Sequence, residues 1–223
     1  MTLNTTAAVA PRRQDEPEPP TSLPGFESIN RYWDKTNSTF VAKIHPGEYY
    51  VTAAGEMVTT VLGSCISACI RCAETKIGGM NHFMLPEEVS GGRDSWEVTN
   101  VNAGTRYGTF AMEHLINSIL RFGGNKHALE VKLFGGGRVM QLQLDVAARN
   151  VRFINEFVNQ EGLRVLSSDL GGVHPRKVNY FPENGKVRMK KLTVTPNDTL
   201  VKREQSYREE LVRQPQETEI ELF

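Results

Sequence analysis

Residues Val58–Pro86 read VTTVLGSCISACIRCAETKIGGMNHFMLP, and the reading of this stretch decides the fold. Thr59, Thr60 and Val61 are β-branched, stiff at χ1 and suited to a pleated surface, so Met57–Leu62 is predicted to be a strand. Gly63-Ser64 ends it at a tight corner that carries Cys65, and Ser67–Arg71 resumes a β-prone alternation. The Gly78-Gly79 pair lies in a third β-prone run, Lys76–Leu85, which holds His82 and closes at Pro86. Strand, thiol-bearing corner, strand, imidazole-bearing strand is the order on which the remaining elements are built.

Upstream, Phe40–Thr52 reads as a strand broken at Pro46-Gly47. Downstream, Phe110, Ala111, His114, Leu115, Ser118, Ile119 and Phe122 recur at three- and four-residue intervals and predict a helix over Tyr107–Phe122, ended by Gly123-Gly124. A second stripe, Ala147, Val151, Ile154, Phe157 and Val158, predicts a helix over Asp145–Gln160. Leu129–Phe134, Leu163–Ser168, Lys177–Phe181 and Lys186–Thr195 read as strands, the last two joined by the hairpin signal Asn184-Gly185. This order predicts an α/β (α+β) layered single domain with a mixed β-sheet and two main helices. Residues 1–39 read as a disordered, Pro- and charge-rich tail followed by a docked segment with Phe26, Tyr32 and Trp33. The domain itself is assigned to 40–195, residues 87–104 to a polar surface loop, and 196–223 to a flexible or weakly helical tail.

Charge is balanced, 26 Lys+Arg against 26 Asp+Glu, which argues against nucleic acid or an anionic membrane as the dominant partner. No apolar run is long enough to suggest membrane insertion. Cys65, Cys69 and Cys72 are an odd set with no secretory signal, which points to a reducing cytoplasmic setting. Clustered cysteines also suggest zinc, but structural zinc sites usually draw two ligands from each of two loops. Cys69 and Cys72, an odd number apart on a strand, would face opposite sides. The reading therefore calls for no metal and no cofactor.

Thiolate is the attacking form of cysteine, and a free thiol has a pKa of about 8.5, so a nucleophilic Cys65 needs a base. His82 is the one histidine inside this stretch. The Thr59 hydroxyl or carbonyl, on the strand entering the corner, could hold the second imidazole nitrogen and fix the tautomer. Gly63 permits the bend, and the backbone N–H of Cys65 with one neighbour offers an oxyanion site. The alternative stands beside it: a strand cysteine is often a small core hydrophobe and a strand histidine a satisfied structural residue. Ser64 reads as a turn or substrate-contact residue, Cys69 as core, and His45, His114, His127 and His174 as structural or surface groups. Gly135-Gly136-Gly137-Arg138 lacks the Lys-Ser/Thr ending of a P-loop and reads as a tight turn lining a substrate groove.

The run Thr59–Cys69 and the run Gly79–Pro86 resemble the signatures of the CheD family, the chemoreceptor glutamine deamidases. Arg106–Met112, Phe134–Gly137, Ala148-Arg149-Asn150, Asp169–Gly172, Arg176-Lys177-Val178 and Asn184–Val187 are similar as well, so the resemblance covers roughly residues 45–195. It implies Cys65 as nucleophile, His82 as base and acid, Thr59 as the orienting third residue, and a layered fold similar to that of Cys/His deamidating toxins. It further implies chemoreceptor cytoplasmic helices as substrate, and for some members a CheC-like phosphatase as partner. The competing expectations are a non-catalytic adaptor that binds such a phosphatase or the receptor, and the same thiol chemistry with an amine replacing water.

Overall fold

In the computed structural model, residues 17–86, 103–139, 144–193 and 198–213 are described. Their strands form two five-stranded sheets. The first has the order β1 (Asn30–Asp34), β2 (Thr39–Lys43), β4 (Met57–Leu62), β9 (Arg176–Phe181), β10 (Lys186–Lys191). The second has the order β3 (Tyr49–Thr52), β6 (Gly78–Asn81), β5 (Ile66–Cys72), β7 (Leu129–Gly135), β8 (Arg164–Leu170). Each is mixed: β2 runs parallel to β4 in one and β7 parallel to β8 in the other, with antiparallel pairs elsewhere. The α+β layered expectation holds, with two mixed sheets where the sequence suggested one.

The alternation of β5 explains the layering. Arg71 donates to the Glu183 carbonyl at the β9–β10 turn, so that face of β5 looks toward the first sheet. The opposite face carries Ile66, Ala68 and Ile70, all fully buried, toward the helical layer. There α1 (Ala103–Arg121) contributes Met112, Leu115 and Ile119, and α2 (Leu144–Gln160) contributes Phe153, Ile154 and Phe157. Phe83 meets Phe153 edge-to-face at 5.9 Å. β4 is covered on both sides, which is why it reads as a nearly unbroken apolar and β-branched run.

Three differences from the sequence reading matter. Part of the segment ahead of residue 40 is a strand, β1, paired with β2 from Asn30↔Lys43 to Asp34↔Thr39. α1 begins at Ala103, four residues before the apolar stripe predicts; the rest of the expected loop, 87–102, lies outside the described residues. The C-terminal tail, expected to be flexible or weakly helical, contains a docked helix, α3 (Asp198–Arg213), with Glu204 and Tyr207 buried. Its docked positions, Leu200, Glu204, Tyr207 and Leu211, fall at one-face spacing, but the stripe is short and interrupted by a charge.

Candidate active site

β4 belongs to one sheet and β5 to the other, and the chain crosses between them at Gly63-Ser64-Cys65. Cys65 therefore stands at the seam. The antiparallel register that pairs Cys69 with Met80 and Ile66 with Phe83 puts Met84 opposite Cys65 and His82 one diagonal step away on the same face. The bridge is firm in both directions: Ile66 N–H donates to Phe83 O at 2.8 Å and Phe83 N–H to Ile66 O at 2.9 Å. His82 is held from its other side by Gly47 N–H on its carbonyl and by its own N–H on Glu48 O.

The glycine-rich end of β7 backs the corner instead of lining a groove as the sequence suggested. Gly136 N–H donates to Cys65 O at 2.8 Å and Gly137 N–H to Gly63 O at 2.7 Å. A Cβ on Gly135, whose φ is +117°, would sit 2.1 Å from Cys65 O. Asn150, fully buried on α2, closes the frame by donating to Ser64 O at 2.8 Å and accepting from Leu85 N–H at 2.9 Å.

The imidazole is oriented by Thr60. Its Oγ1 lies 2.8 Å from His82 Nδ1 and 2.9 Å from the Ile44 carbonyl. A carbonyl only accepts and a hydroxyl has one proton, so the Thr60 proton goes to Ile44 O and Nδ1–H donates to Thr60 Oγ1. That tautomer leaves Nε2 with its lone pair free, and Nε2 is buried with no hydrogen-bond partner among the described residues. Thr59, expected in this role, does not take it. Successive residues of a strand face opposite sides, and Thr59 Oγ1 instead meets Asn179 Oδ1 at 2.6 Å and Val178 O at 3.1 Å on β9. The sequence offered two adjacent threonines and no means of choosing the face.

The sulfur of Cys65, a ring nitrogen of His82 and a carboxylate oxygen of Glu204 lie within 4.8 Å of one another. Glu204 comes from α3, and no local signal in the sequence marks it. Its Oε1 accepts from Gly63 N–H at 2.7 Å and Cys65 N–H at 3.5 Å; its Oε2 accepts from Ser64 N–H at 3.1 Å and Ser64 Oγ at 2.8 Å. The N–H groups of Gly63, Ser64 and Cys65 and the Ser64 hydroxyl thus converge on one carboxylate, an arrangement suited to an anion. Thiol, imidazole and carboxylate are metal ligands by type, but here both carboxylate oxygens are occupied by N–H and O–H groups. Cys69 and Cys72 are buried thiols that do not join the cluster.

Burial pushes the Cys65 thiol well up, and the Glu204 charge and its hydrogen bond from the thiol add to the rise. Burial pushes His82 down to about 3, with His45 adding to the shift. The pair therefore rests as thiol and neutral imidazole, and both are sealed from solvent, at 0 % and 1 % exposure. A cavity of about 200 Å³ adjoins His82 and Thr60, walled by His45, Pro46 and, from α3, Leu200 and Arg203.

The fold and site define a class of mixed two-sheet α+β domain with a buried cysteine–histidine pair at its seam, and comparison with known sequences gives its family. The family model described as CheD chemotactic sensory transduction matches residues 84–191. The chain is 53 % identical over 204 residues to the probable chemoreceptor glutamine deamidase CheD of Halorhodospira halophila, covering 92 % of this chain and 94 % of that one. It is 46 % identical to the protein of the same name from Hahella chejuensis, over 94 % of this chain and 98 % of that one. The chain belongs to the CheD family.

Proposed function

We propose that this protein is a protein-glutamine deamidase acting on chemoreceptors, in which Cys65 is the nucleophile and His82 the base. The observation that carries the reading is the Cys65 sulfur within 4.8 Å of a His82 ring nitrogen, with Nε2 buried and unpartnered among the described residues, at a corner lined by backbone N–H donors. Its relatives are named chemoreceptor glutamine deamidases, and those names supply the substrate class.

Nε2 takes the thiol proton, and the thiolate attacks the side-chain amide carbon of a substrate glutamine. The developing oxyanion is held by the corner's N–H groups; one such donor is worth about 3–4 kcal/mol of barrier. The protonated imidazole then gives its proton to the leaving nitrogen, ammonia departs and a thioester remains. The neutral imidazole activates water, which cleaves the thioester to glutamate and restores the thiol. Thr60, not Thr59, keeps Nδ1 protonated through these steps by accepting its hydrogen bond. Donors, base and nucleophile all come from the chain, and the net change is amide plus water to carboxylate plus ammonia. The proposed setting is the cytoplasm, with receptor helices as substrate and a CheC-like phosphatase as a further partner.

Incubation with a receptor cytoplasmic fragment should give ammonia and a gain of roughly one dalton at particular glutamines, the exchange of an amide nitrogen for oxygen. Cys65→Ala and His82→Ala should each abolish the gain. A signal that persists in either variant removes that residue from the chemistry, and unimpaired chemotaxis with Cys65→Ala favours an adaptor. Incorporation of an added amine in place of hydrolysis would identify a transglutaminase.

A further inference from the structure

We propose that α3 is an intramolecular occupant of the substrate seat. It sets Glu204, a helix-borne side chain identical to the product of the reaction proposed above, into the donors of the Cys65 corner, and it must leave before a substrate side chain can enter. The seating of α3 stands on geometry alone, whereas its description as a product analogue rests on the deamidase reading.

A buried carboxylate is costly unless its lone pairs are met by donors. Glu204 is 1 % exposed and, among the described residues, its donors all belong to Gly63, Ser64 and Cys65. The corner is thus complementary to a carboxyl-shaped group, and a glutamine carboxamide has the same length, plane and acceptor oxygen. Gly63 supports this. Its φ lies outside the left-handed region, yet a Cβ there would come within 2.7–2.9 Å of the Glu204 carboxyl group. The missing side chain keeps the amides open to whatever occupies the seat.

α3 has a second anchor one turn on. The Tyr207 ring lies over Gly47, where a Cβ would come within 2.9 Å of it, and its hydroxyl hydrogen-bonds that of Tyr107 on α1. Leu211 packs against the core beyond it, and Leu200 reaches the cavity beside His82. The helix therefore lies across the seam with the spacing of a docked ligand helix: one side chain in the seat, apolar contacts on either side. While it is seated, a Glu204 carboxylate oxygen stands within 4.8 Å of the Cys65 sulfur, and Nε2 of His82 has no partner among the described residues.

The test uses the full chain. Cys65 alkylation by iodoacetamide is followed by peptide mass, with Cys69, deep in β5, as an internal reference. In Glu204→Ala, Cys65 should react about 10- to 100-fold faster than in the wild type, the shift expected when charge-assisted hydrogen bonds holding one of two states are lost. KM for a receptor fragment should fall by a similar factor at unchanged kcat. An unchanged Cys65 rate in a variant that keeps the wild-type circular dichroism overturns the proposal. Should Glu204→Ala fail to fold, Glu204→Gln decides. Residue 204 should then be recovered as glutamate when Cys65 is present and as glutamine in the Cys65→Ala background. A glutamine left intact at this position, in a chain that still deamidates the receptor fragment, overturns the proposal. The two readings fail separately. Faster alkylation without receptor hydrolysis removes the deamidase and keeps the seated helix, whereas receptor hydrolysis with equal alkylation rates removes only the helix.

Discussion

The two walls of the Cys65 seat are held in different ways. The corner is fixed by main chain: β7 bonds to it through Gly136 and Gly137, Phe83 pairs with Ile66, and Asn150 ties Ser64 to α2. Elements from both sheets and one helix meet there, so loosening it means unfolding the domain. α3 reaches the same spot mainly through side chains, with Glu204 and Tyr207 its buried anchors. Groups held by a few side chains belong to the low-stability end of a structure and open locally. On the proposed reading, the rigid wall carries the reacting atoms and the detachable one controls access to them.

The comparison breaks most severely at Gly135. An alanine there would place Cβ 2.1 Å from Cys65 O and 3.1 Å from Ile66 Cα, against backbone that cannot shift, and at a φ of +117°. Gly135→Ala should cost about 3 kcal/mol or more, or prevent folding, as read by urea denaturation. A fully stable variant would mean that the corner is not rigid and that both walls yield alike.

Next in size is Thr60→Val, which keeps the shape of the side chain and removes its oxygen. Nδ1–H loses its acceptor, the buried ring can take the other tautomer, and Ile44 O loses a donor. A drop in kcat of roughly 10- to 100-fold is expected, the range for losing one orienting hydrogen bond of about 1.5–3 kcal/mol. Single-turnover deamidation of the receptor fragment would measure it. Unchanged kcat would show that packing alone aims the imidazole.

What the sequence revealed and hid follows the same division. The strands around Cys65 and His82 were legible because β-branched runs and glycine corners are local signals, and β4 appears at Met57–Leu62 as predicted. The two residues that reach the site from elsewhere were not. Choosing between Thr59 and Thr60 requires knowing which face of β4 meets the other sheet, a matter of sheet packing and not of propensity. Glu204 lies 139 residues beyond Cys65 in a polar helix, and a carboxylate there becomes meaningful only once three amides surround it. Cys65 and Cys69 make the same point. Both are fully buried strand-region thiols, and only the corner geometry separates a candidate nucleophile from a core residue.

Acid should loosen the rigid wall from within. His82 is held neutral down to about 3 in the folded protein, against about 6.5 in an unfolded chain. Between those values the unfolded state binds more protons, so stability falls as pH drops from 6.5 toward 3, by at most about 1.4 kcal/mol per pH unit from this group. Above 6.5 both states are neutral and the contribution vanishes. The Asp169 carboxylate, lowered by its Arg176 and Lys191 partners, is also protonated by acid and acts in the same direction. Melting temperatures measured from about pH 7 to about pH 5 should decline for the wild type and decline less for His82→Gln. Parallel curves would mean that His82 is not held neutral by its surroundings.

The smallest effect gives the sharpest comparison, because it concerns a neighbour of the same type. Thr59→Val removes a hydroxyl that meets Asn179 Oδ1 and Val178 O between β4 and β9. Asn179 is only half-buried, so water can replace part of the lost bond, and the cost should be about 1 kcal/mol. That loss belongs to one sheet and not to the seam, so kcat should stay at the wild-type value while the melting temperature falls slightly. Set beside Thr60→Val, it separates two roles along one strand: one threonine holds β4 to β9, and the next holds the imidazole across the gap between sheets. A fall in kcat with Thr59→Val and none with Thr60→Val would invert that assignment and return the orienting role to residue 59.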